Sequence, residues 1–113
     1  MSMEASSERD FEIAADAELR ALRQALDALD HEDVESDLES GILTIAIGDD
    51  TEYIVNSHRA ARQIWMAAER TAWHFDRNAS GKWRAAKTDD ELWTTLEKTL
   101  ARKLGSPVQL RRE

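Results

Sequence analysis

GILTIAIGDDTEYIVN, residues 41–56, consists of two alternating runs joined by a Gly-Asp-Asp turn. Leu43, Ile45 and Ile47 share one side, and Ile42, Thr44 and Ala46 the other. After the turn, Tyr53 and Val55 alternate with Ile54 and Asn56. Strand side chains repeat every second residue, so each run has one face free to meet a core. The flanking chain continues the pattern. Upstream, DVESDLE (33–39) sets Val34, Ser36 and Leu38 against Asp33, Glu35, Asp37 and Glu39. Downstream, RQIWMA (62–67) sets Ile64 and Met66 against Gln63 and Trp65. WHFD (73–76) sets Trp73 and Phe75 against His74 and Asp76, and after the turn RNASG, Trp83 points inward. Short strands on short links predict an antiparallel meander.

A helix is expected on each side of it. From Glu8 to Leu29 the apolar Phe11, Ala15, Leu19, Leu22, Leu26 and Leu29 recur every three or four residues, with Ser6 or Ser7 as N-cap. Thr88-Asp89-Asp90-Glu91 reads as a capping box opening a second helix, whose stripe is Trp93, Leu96, Leu100 and Leu104. Gly105 and Pro107 end it, and Val108 and Leu110 of the tail can fold back on the core. Trp73, Trp83 and Trp93 read as core residues. The expected fold is an α+β two-layer sandwich, two terminal helices on one face of an antiparallel sheet. Its 113 residues suit one domain, 1–113, with residues 1–7 as a flexible lead.

Composition narrows the chemistry. With no cysteine, the chain has no disulfide, no thiolate zinc and no thiolate-held cluster. The start MSMEASSERD is acidic and polar, unlike a signal or transit peptide, and no apolar run is long enough for a membrane span. A cytoplasmic protein is the expectation. The net charge of −8 is lopsided: residues 1–40 hold thirteen acids against three arginines, while residues 41–113 hold ten acids and twelve bases. Phosphate would be repelled by the acidic part, which excludes nucleic acid and favours a cationic partner, metal or basic protein.

The acids are concentrated. Residues 30–39 carry six carboxylates in ten positions; Asp30 and Glu32 among them share the corner at the helix end and turn with Asp27 and His31. Alternate strand residues lie about 6.7 Å apart. A pair such as Asp33 and Glu35 therefore repels by roughly 0.6 kcal/mol in water and about 2.5 kcal/mol at an effective dielectric of 20. A bound cation would remove that cost. Carboxylates suit calcium, magnesium, manganese or oxidised iron, but the spacing forms a line and lacks a calcium-loop motif, so weak, exposed sites are expected. Charge runs also serve simply as a solvated face; alternation along one strand face supports the metal reading. The other sheet face should present Thr44, Asn56, Gln63, Trp65, His74 and Asp76. An exposed tryptophan favours an interface, or else is covered by Arg62 or Arg84. His31 and His58 belong to no motif.

Taken in order, GILTIAI, EYIVN, RQIWMA, WHFD, GKW and DDELW resemble the frataxin family, most closely its bacterial iron donor (CyaY-type) branch, from about Asp10 to Val108. The resemblance implies the two-helix sandwich and weak binding of ferrous or ferric iron along an acidic ridge. The ridge positions are Asp27, Asp30, Glu32, Asp33, Glu35 and Asp37, with Glu12 and Asp16 further up the helix. It implies work in iron–sulfur cluster assembly, as iron donor or as regulator of cysteine desulfurase and scaffold, with Asn56, Gln63 and Trp65 on the partner surface. It implies a monomer able to form iron-dependent oligomers. The chain departs from the family at Arg23, Gln24 and Ala28, where acids are common, at Ser57-His58-Arg59-Ala60 and at Ala72. An enzyme is not expected, and ferroxidase activity would at most be weak, since no paired Glu-x-x-His helices build a di-metal site. The rival is an acidic interaction module that regulates the desulfurase–scaffold complex without metal.

Overall fold

The computed structural model of the chain describes residues 3–112, with side chains from Glu8 onward. In order, the elements are α1 (Met3–Ala28), β1 (Val34–Glu39), β2 (Ile42–Ile47), β3 (Thr51–His58), β4 (Gln63–Ala68), β5 (Thr71–Arg77), β6 (Trp83–Ala85) and α2 (Leu92–Leu104). The strands form one antiparallel sheet in sequence order, β1 to β6. This is the expected α+β sandwich. Among the described residues no helix is long and apolar enough to cross a membrane.

Alternation decides which face is buried. Leu43, Ile45, Tyr53, Val55, Ile64 and Phe75 are fully covered and meet the helices' apolar stripes, such as Leu19 and Leu22 of α1 and Leu96 and Leu100 of α2. Trp83 is buried against Phe11, edge to face at 5.9 Å. The β1–β2 hairpin turns on Ser40 and Gly41, both with positive φ, which suits a two-residue turn. A side chain at Gly41 would also press within 2.6 Å of the Ser57 hydroxyl.

Helix starts and one tryptophan differ from expectation. α1 begins at Met3, so Ser6 and Ser7 lie inside it rather than capping it. At α2 the cap is Glu91, whose carboxylate accepts from the amides of Trp93 and Thr94. Thr88 instead donates to Asp90, because residues 85–90 are held in a turn: the Ala85 amide donates to the Asp90 carbonyl and Asp89 is left-handed. Gly105 does end α2, with φ 74° and its amide donating to the Ala101 carbonyl. Leu110 is buried, its amide donating to Glu97 at 2.7 Å. Trp83 and Trp93 are core, whereas Trp73 is only half-buried, its indole N–H donating to Asp90.

Tyr53 gives the fold an alkaline limit. Burial, then the hydrogen bond to Glu69 (2.9 Å) and that residue's charge, push its phenol up to about 12. The raised value means the protonated phenol favours folding. That contribution, about 3 kcal/mol, is intact below the unfolded value of about 10 and lost as pH rises through about 12. Urea unfolding at several pH values should show Tyr53→Phe losing less stability than wild type between pH 10 and 12. Parallel curves would refute this.

Candidate functional site

The acidic ridge straddles a corner between the layers. Asp27 stands at the end of α1, Asp30 and Glu32 follow it, and Asp33 leads into β1; all are exposed. The helix's C-terminal end already carries partial negative charge, and α1 has no basic residue in its last turn. Carboxylates there are therefore unfavourable unless a cation joins them. The Ser36 hydroxyl donates to Asp27 at 3.2 Å, tying β1 to the helix end. His31 Nδ1 accepts from the Asp33 amide at 3.1 Å, which shapes the turn. Asp27, Asp30, His31 and Glu35 line one shallow depression of about 310 Å3.

The two halves of the ridge differ. On β1 the pattern of half-buried and exposed residues alternates as expected, with Glu35, Asp37 and Glu39 exposed. Their partners across the ladder are Ala46, Thr44 and Ile42, so these acids lie at the edge of the open sheet face rather than on the helix layer. On α1, Glu12 pairs with Arg59 at 3.0 Å and Asp16 with Arg20 at 2.9 Å, both exposed pairs. Arg20 and Arg23 also share a depression with Asp16 and Asp27. The helical half is thus partly neutralised. Among the described residues no three acidic or imidazole side chains are preassembled around a metal position. Such a ridge holds a cation only by drawing exposed carboxylates toward it, which limits affinity.

The open face is ordered around Trp65. One cross-strand row runs Glu39, Ile42, Asn56, Trp65, His74 from β1 to β5. Trp65 is sandwiched between two imidazoles, His58 at 3.8 Å and His74 at 4.2 Å, nearly parallel to both. Its indole N–H donates to Gln63 Oε1 at 2.8 Å, and Gln63 Nε2 donates to Asp76 at 3.1 Å. The indole is therefore held in one orientation, and imidazoles cover it. Ile42 and Ile54 stay exposed on the same face. Sequence reasoning missed His58 because β3 runs two residues beyond Asn56, bringing His58 opposite Gln63. It also left Glu39 out of the ridge, although its alternation with Asp37 was visible.

A profile of the frataxin-like domain matches residues 4–106. The chain belongs to the CyaY-type frataxin family. It is 30% identical over 104 residues to a Paraburkholderia phymatum protein named iron-sulfur cluster assembly protein CyaY, spanning 92% of this chain and 97% of that one. A Paraburkholderia phytofirmans protein of the same name is also 30% identical, over 93% of this chain and 98% of the relative. Among solved frataxins, that of Psychromonas ingrahamii superposes with a TM-score of 0.85, covering 93% of this chain and 98% of that one at 24% identity. A trimeric Saccharomyces cerevisiae frataxin gives 0.71, covering 82% and 80%, also at 24% identity. These two likenesses concern the frataxin fold alone.

Proposed function

We propose that this chain is a non-enzymatic factor of iron–sulfur cluster assembly, working in the cytoplasm. It holds ferrous or ferric iron weakly at the α1–β1 edge and docks on cysteine desulfurase and its scaffold through the open sheet face. It is a monomer that iron can draw into oligomers. The names of its relatives support the cluster-assembly role. The carrying observation is the row from Glu39 to His74, which makes the acidic edge and the Trp65 surface parts of one face. Iron bound at Glu35, Asp37 and the helix end would neutralise charge that a basic partner would otherwise meet. Iron and partner are thereby coupled through shared carboxylates, and the absence of a thiolate lets the metal leave.

A second reading, a metal-independent acidic module, is favoured by the lack of a preassembled metal group among the described residues. Titrating the chain onto cysteine desulfurase with and without ferrous iron separates the two. The proposal expects the dissociation constant to change when iron is added and to return when it is chelated. Binding that ignores iron and chelator, yet falls steeply with salt, would establish the second reading instead.

A further inference from the structure

The cleft between α2 and the β4–β5 hairpin lies apart from the acidic ridge and the Trp65 stack. It encloses about 390 Å3, within the usual range of small-ligand sites, and its lining includes no ridge carboxylate and neither imidazole of the Trp65 stack. One wall is a single stripe of α2, with Thr95, Lys98, Thr99, Arg102 and Lys103 at helical spacing. The other is built from β3, β4 and β5, where the half-buried indole of Trp73 is the accessible apolar surface of the floor and the buried Tyr53 and Ala68 lie behind it.

The polar groups of that floor are already satisfied. Tyr53 donates to Glu69, Trp73 donates to Asp90, and the Thr95 and Thr99 hydroxyls donate to carbonyls of their own helix. Among the described residues, Lys98, Arg102 and Lys103 form no salt bridge. In a chain of net charge −8, this cleft therefore gathers three exposed cations that have no hydrogen-bond or ion-pair partner among the described residues. Glu69 and Asp90 also line it, so its local balance is one positive charge. That suits one carboxylate better than a polyphosphate.

We propose that this cleft binds small organic monocarboxylates, the carboxylate meeting Lys98, Arg102 and Lys103 and a flat apolar body resting on the indole of Trp73. The site needs neither iron nor a protein partner, so its success or failure is independent of the function proposed above. The test is an amide- and indole-resolved NMR titration of the full chain at constant ionic strength, using benzoate, acetate and inorganic phosphate as separate probes. Benzoate should give saturable shifts at the Trp73 indole N–H and the Thr95 and Thr99 amides, half complete at about 1 mM. Acetate, lacking the body, should bind about tenfold more weakly. The double variant Lys98→Gln/Arg102→Gln changes only exposed helix positions and should stay folded, its unfolding temperature lower by a few degrees at most for the Arg102 charge lost from the last turn, while weakening benzoate about tenfold. Shifts that never saturate, phosphate binding more tightly than benzoate, or a double variant that binds as wild type would each overturn the proposal.

Discussion

Glu18→Ala is expected to lower the unfolding free energy by about 3 kcal/mol. Glu18 is only 7% exposed and joins three parts of the chain. Its carboxylate accepts the Trp93 indole N–H of α2 at 2.6 Å and a two-pronged contact from Arg112 of the tail, at 3.1 and 2.5 Å. The Arg112 guanidinium also lies 4.6 Å from the centre of the Trp93 ring. Alanine would leave a buried indole donor without an acceptor and release the tail that carries Leu110. The cost stays near the lower end for a broken buried pair because Arg112, half exposed, can return to water. Glu18→Gln keeps an acceptor for Trp93 and should lose roughly half as much. Urea unfolding measures both; a loss below about 0.5 kcal/mol for the alanine variant would mean that the clamp contributes little.

Trp65→Ala is the functional counterpart. On the proposed docking role, it should weaken the complex with cysteine desulfurase and scaffold about a hundredfold, as loss of a central aromatic does. The domain should remain folded, because Trp65 is outside the buried core and its removal dissolves a surface stack. Gln63→Ala should have a smaller effect, since it frees the indole N–H without removing the ring. Wild-type affinity in the tryptophan variant, with an unchanged circular dichroism spectrum, would remove the sheet face from the account.

Period-two alternation made the sheet legible, because it fixes which side chains are buried whatever lies above them. The six strands and the inward placement of Leu43, Tyr53, Ile64 and Phe75 follow from it directly. Features that depend on residues distant in sequence were not legible. Thr88 has the chemistry of a cap, but the tight turn behind β6 moves that role to Glu91. Glu18 lies on the apolar stripe of α1, between Ala15 and Leu22, and a carboxylate there was the available sign of a buried partner. Its partners, 75 and 94 residues away, could not be read from spacing. In the sequence the ridge forms one line. The structure divides it between a helix end and the open face, a consequence of how β1 packs beside α1.

The central claim is that the carboxylates around the α1–β1 corner hold iron. An anaerobic titration with ferrous iron, then with ferric iron, followed residue by residue through the backbone amides, tests it most directly. The signals of Asp27 to Glu39 should shift or broaden first, at weak affinity, while α2 stays silent, and Glu35→Gln/Asp37→Asn should suppress the response on β1. Unchanged signals from Asp27 to Asp37 at iron concentrations that perturb other parts of the chain would contradict it.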